Sequence, residues 1–274
     1  MEVAGATAPI GSFAALGDSF TEGLADPGPG GGYRGWADRF AGHLAGQSPG
    51  LRYANLAVRG KLLCEVVSEQ VPAALEMRPE LVSIAAGGND LLRPGGDPDV
   101  LAAVFDAAVA DLRAAGCRVL IVTGFDPGTF PVIRWIRGKV AVYNMHLRGI
   151  ADRQHATVVD LWSMPVLRDP RVWSEDRLHL AAEGHRRVAL RACEAVGVVP
   201  DGDWREPLPV QGGAPAPAVT GWIAARRMDA RWARQHAVPW VRRRISGVSS
   251  GDGVLPKRPQ LLAVERPELL PVEG

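Results

Sequence analysis

Cysteine is scarce in this chain, and the three that occur (Cys64, Cys117 and Cys193) lie far apart with no Cys-x-x-Cys pair. That spacing excludes a dense disulfide framework and a paired-cysteine zinc site. Each has apolar neighbours, so three buried thiols are expected. Histidine is sparse too, at six residues with no His-Glu-x-x-His or other close pairing. No metal-ligand pattern results, and neither a metal nor a cofactor is expected. No apolar run approaches the ~20 residues that cross a bilayer. Residues 1–13 have neither the basic start nor the apolar core of a signal peptide, so a cytoplasmic location is expected. Excess charge of one sign is also missing: 31 Lys+Arg against 30 Asp+Glu leave a formal net charge of +1. The chain as a whole therefore has no general affinity for polyanions. The Gly28–Gly32 run is interrupted by Pro29, and no Gly-Lys-Ser/Thr occurs, which argues against nucleotide binding.

What is present fits a soluble globular protein: 274 residues, 47% hydrophobic and 22% charged, enough for one α/β domain with an appendage. Short apolar runs at Phe13–Leu16, Arg52–Ala57, Leu81–Ala86, Arg118–Thr123 and Thr157–Leu161 predict five strands. Apolar residues at helical spacing predict helices over Tyr33–Ala45, Lys61–Met77, Asp97–Ala115, Arg134–His155 and Ala181–Val196. Strands and helices alternating in this way predict parallel βαβ units with the sheet covered on both faces. The runs are continuous and not alternating, as burial on both faces requires. Composition divides the chain into a catalytic domain over 1–199, a Pro/Gly/Ala-rich linker over 200–219 and a basic amphipathic helix with a flexible tail over 220–274.

In open sheets of this kind, ligands sit beyond the carboxyl ends of the strands. Ser19, Gly60, Asn89 and the loop after Leu161 all fall there. Ser19 alone is ambiguous among nucleophile, phosphate ligand and helix cap. Acyl transfer, however, needs a nucleophile, a base, a carboxylate to orient the base and donors for an oxyanion. Ser19 can supply the first and His179 the second. Asp176 can orient the imidazole if its segment bends into a turn. Asn89 carries a side-chain amide, and the backbone N–H groups of Ser19 and Gly60 would sit beside it. Asp18 reads as a hydrogen-bond partner of its own turn, and Asp90 as a helix cap or a brace for Asn89. Asp160 is a weaker orienting carboxylate. Trp135, Trp162 and Trp173 read as packing residues, with an acyl pocket the alternative, and His185 reads as a surface residue.

The blocks GDSFTEG (17–23), NLAVRGK (55–61), GGND (87–90) and DRLHL (176–180) resemble, in order and spacing, those of the GDSL/SGNH hydrolases. The likeness runs from Phe13 to about Val196. It implies a three-layer α/β/α flavodoxin-like fold with a five-stranded parallel sheet. It also implies a Ser19–His179–Asp176 triad, with Ser19, Gly60 and Asn89 forming the oxyanion hole. The expected activity is hydrolysis of carboxylic esters, esterase- or lipase-like, through an acyl-Ser intermediate. Handing the acyl group to another acceptor is the alternative, and a non-catalytic protein acting through its basic segment is a third reading.

That segment carries Arg226, Arg227, Arg231, Arg234 and Arg242–Arg244 against Asp229, interleaved with Trp222, Trp232 and Trp240. Three readings stand: an arginine face docked on the catalytic domain, an interfacial helix that meets anionic membrane, and, third because nothing else in the chain resembles such a module, a nucleic-acid patch. The partners expected are thus a small-molecule or lipid acyl ester and, peripherally, an anionic membrane, with no nucleic acid.

Overall fold

The computed structural model describes residues 9–130, 133–209 and 250–264. A six-stranded sheet runs β5-β4-β3-β1-β2-β6, built from β1 (Ser12–Gly17), β2 (Arg52–Asn55), β3 (Leu81–Ala85), β4 (Arg118–Val122), β5 (Thr157–Val159) and β6 (Arg258–Ala263). The first five strands pair in parallel, in the flavodoxin-like 2-1-3-4-5 order. All of β1 and β3 is buried, as continuous apolar runs demand.

The helices are α1 (Ser19–Glu22), α2 (Gly35–Gln47), α3 (residues 63–77), α4 (Gly88–Leu91), α5 (Pro98–Ala114), α6 (Arg137–Gln154) and α7 (Ala182–Val196). Helices α2 and α7 pack together, as do α5 and α6, giving the three layers. Helix α3 contains a π turn at Val66–Gln70. At its end the buried Gln70 accepts from Gly17 N at 2.8 Å and donates to Gly17 O at 2.9 Å. The irregular turn thereby ties a helix to the last residue of β1, a use of π turns common near functional sites.

Three expectations are corrected. The sheet has a sixth strand: β6 lies antiparallel to β2, with Tyr53 opposite Leu262, inside the stretch expected to be a flexible tail. Pro259 disguises it in sequence, and only an edge strand tolerates that proline. The expected linker over 200–219 begins as packed structure. Trp204 is buried, donates from Nε1 to Glu194 Oε2 at 2.6 Å and lies under the Arg205 guanidinium. Finally, Cys64 is exposed while Cys117 and Cys193 are buried. The expected basic helix over residues 220–249 lies outside the described residues. Among the described residues no helix is long and apolar enough to cross a membrane.

Candidate active site

Strand β1 ends at Gly17, and Asp18 caps the single-turn helix α1, accepting from Phe20 N at 3.0 Å. Ser19 is therefore the first helical residue, where a backbone N–H has no acceptor within the helix. The side chain is half-buried. Asp18 hydrogen-bonds its own turn, as expected.

Residues 173–180 bend back on themselves, with Trp173 bridging Leu180 and Ser174 N donating to His179 O at 2.9 Å. Arg177 turns the chain in the left-handed region, at φ 57°. The turn brings Asp176 onto its own downstream backbone. Oδ1 accepts from Leu178 N at 2.9 Å, His179 N at 3.0 Å and Ser174 Oγ at 2.6 Å. Oδ2 lies 2.6 Å from His179 Nδ1. Burial pushes the Asp176 carboxyl up, but the hydrogen bonds from His179, Ser174 and the backbone outweigh it and hold the group well below the usual carboxylate range. An ionised carboxylate only accepts, so Nδ1 carries the proton and Nε2 of the neutral ring is an acceptor. Ser19 Oγ lies 3.1 Å from that Nε2. Residues 160 positions apart in sequence thus meet at the carboxyl end of the sheet.

Asn89 follows β3, the neighbour of β1 at the point where the strand order reverses. Its Nδ2 donates to Asp18 Oδ2 and to Lys61 O, both at 3.1 Å. Gly60 precedes Lys61 in a turn after β2, at φ 76°. Asp90 accepts from Leu63 N at 3.0 Å at the start of α3, a helix-capping role. Asn89 is braced by Asp18, whose carboxyl burial pushes up to about 6 against the opposing pull of the Phe20 N–H. Asp160, far from this cluster in role, pairs with Arg148 at 2.6 Å and Thr123 Oγ1 at 3.3 Å.

From Ser19 and His179 a cavity of about 200 Å³ runs inward. A stripe of α6, namely Val140, Tyr143 and Leu147, lines it together with Val122, Leu161 and Phe125. Trp173 lines it as well, tilted at 53° against Phe125 with ring centroids 4.5 Å apart. Of the three tryptophans singled out by sequence, Trp135 is exposed and Trp162 lies 5.3 Å from the Arg137 guanidinium. The expectation for His185 is wrong: it is 1% exposed, accepts from Trp36 N through Nδ1 at 3.2 Å and reaches Leu24 O through Nε2 at 3.4 Å. Helical spacing alone cannot say that α2 lies over that face. The sequence predicts the α6 helix but not that it lines a cavity.

Comparison with known proteins bears on family and fold. A family model described as the GDSL-like Lipase/Acylhydrolase family matches residues 15–187. Among solved structures, LAE5, an alpha/beta hydrolase enzyme from the metagenome of Lake Arreo, superposes with a TM-score of 0.60 at 20% identity, covering 70% of this chain and 97% of that one. Axe2, an acetylxylan esterase from Geobacillus stearothermophilus, gives 0.58 at 19% identity over 72% of this chain and 99% of its own. The psychrotrophic esterase EstA from Pseudoalteromonas sp. gives 0.55 at 16% identity over 68% and 97%. At these identities the likeness is one of fold. No match was found among functionally curated proteins.

Proposed function

The chain belongs to the GDSL-like lipase/acylhydrolase family, and we propose that it hydrolyses carboxylic esters of apolar acyl groups through an acyl-Ser19 intermediate. The observation that carries this reading is the continuous line from Asp176 through His179 to Ser19, at 2.6 and 3.1 Å. Ser19 Oγ attacks the ester carbonyl carbon while His179 Nε2 takes its proton, and Asp176 stabilises the imidazolium. The carbonyl oxygen becomes an oxyanion facing the N–H groups of Ser19 and Gly60 and the Asn89 amide. Both amide hydrogens of Asn89 have acceptors at 3.1 Å in the resting state, at the long side of the usual N–H···O distance. A charged oxyanion is the stronger acceptor and draws one of them away. Collapse expels the alcohol, protonated by His179. A water deprotonated by the same nitrogen then releases the acid and restores Ser19.

The cavity argues for the acyl class. An apolar cavity of ~150 Å³ holds a six-carbon benzene, so about 200 Å³ corresponds to an acyl tail of about eight carbons by the same scaling. An acetyl group would leave most of it empty. Hydrolysis of p-nitrophenyl acetate, octanoate and palmitate by wild type and Ser19→Ala tests the proposal. Octanoate is expected to be preferred, and Ser19→Ala to lose about 10⁴-fold or more. Equal rates for the two proteins would contradict it.

A further inference from the structure

A stretch well outside the family match reaches the back of this site. Residues 250–264 are anchored by β6, and Arg258 Nε donates to Tyr53 O at 2.9 Å. Upstream, the backbone of buried Gly251 lies so close to the Arg59 carbonyl that a β-carbon there would stand 2.0 Å from its oxygen. Between these points Lys257 Nζ donates to Glu22 O at 2.5 Å, Tyr33 O at 2.9 Å, Arg34 O at 3.0 Å and Asp38 Oδ2 at 2.6 Å. Glu22 is the last residue of the helix that begins at Ser19, and a cation at that end complements the helix dipole.

These contacts converge on one peptide unit. The Glu22 carboxylate accepts from Arg59 N at 2.7 Å and pairs with the Arg59 guanidinium, which lies over the Tyr33 ring. The N–H and the side chain of Arg59 are therefore held, and its carbonyl is backed closely by Gly251. A trans peptide is planar, so the Gly60 N–H points away from the Arg59 carbonyl. Whatever holds that carbonyl also sets where the Gly60 N–H points.

We infer that residues 250–263 act as a positioning strap for the oxyanion side of the site. Gly251 backs the Arg59–Gly60 peptide on the face opposite its N–H. Lys257 fixes the far end of the Ser19 helix and, with it, the Glu22 carboxylate that grips Arg59. The inference rests on the reading of Gly60 as an oxyanion donor. It adds a requirement that lies some 190 positions away in sequence from that glycine.

The test uses full-length Gly251→Ala and Lys257→Met beside wild type and Ser19→Ala. The readouts are kcat and KM on p-nitrophenyl octanoate, inhibition by an octyl trifluoromethyl ketone, and the thermal midpoint. The ketone forms a hemiketal oxyanion on serine and so reports the oxyanion donors. Gly251→Ala is expected to lower kcat and ketone affinity together by about 10–100-fold, with KM within about twofold. Lys257→Met should show the same pattern more weakly, and it carries the test alone if Gly251→Ala does not fold. If wild type shows Ser19-dependent turnover and the variants lose only thermal stability, or lose affinity through KM alone, the strap is overturned while the esterase reading stands. Turnover that does not depend on Ser19 overturns that reading and the strap with it.

Discussion

Asn89 and Asp18, 71 positions apart, meet at 3.1 Å across the carboxyl ends of two neighbouring parallel strands. The carboxylate that caps the Ser19 helix through Phe20 N is thus also the one that aims the Asn89 amide. One buried side chain sets both the Ser19 turn and the aim of the Asn89 amide.

Asp18 therefore trades stability for activity. Burial raises its folded pKa to about 6, above its unfolded value. The stability it lends is present below the ordinary carboxylate range and is lost as pH rises through about 6. Asp18→Asn removes the buried charge, so at pH 7.5 the variant is expected to be more stable than wild type by about 1–3 kcal/mol, with the gain vanishing near pH 4. Its kcat should fall about tenfold with KM unchanged. Urea denaturation at the two pH values and steady-state kinetics check both halves.

His185 works in the opposite sense. Burial lowers its pKa to about 4, so its contribution is full above the unfolded value and is lost as pH falls towards 4. The neutral ring accepting from Trp36 N cannot keep that bond when protonated. Wild type should lose up to about 3 kcal/mol relative to His185→Asn between pH 6.5 and 4. A stability difference between the two that is flat with pH would refute the assignment.

Leu147 lines the cavity and, if acyl chains bind there, is expected to limit their length. Tyr143, whose hydroxyl donates to Ala86 O at 3.3 Å, stands beside the strand end that leads to Asn89, and Leu147 is one helical turn further along α6. Burying each added methylene contributes about 0.8 kcal/mol, or roughly a fourfold gain in kcat/KM. That gain should continue to about octanoyl in wild type. Leu147→Ala is expected to move the optimum to longer chains and Leu147→Trp to shorter ones, read from kcat/KM across a p-nitrophenyl ester series.

Much of this was legible in the chain. The continuous apolar runs of β1 and β4 and the breaks at Gly17 and Gly87 specify parallel strands with functional residues at their ends. The Asp176-Arg177-Leu178-His179 spacing allows the carboxylate to reach the imidazole only if the segment bends, and the bend itself, with Arg177 at φ 57°, comes from the structure. What escaped was set by partners distant in sequence. Pro259 makes β6 look irregular, and only the free edge of β2 makes it a strand. His185 looks like one polar residue on a helix until α2 covers it. Lys257 and Gly251 carry no local signal at all, since the groups they meet lie on residues 22–59.

Acylation of Ser19 with His179 as its base is tested most directly by peptide mapping after a fluorophosphonate label. Wild type should carry one phosphonyl group on the peptide containing Ser19, Ser19→Ala none, and His179→Ala should label at least about a thousandfold more slowly. Label on another residue, or an undiminished rate in His179→Ala, would contradict the account.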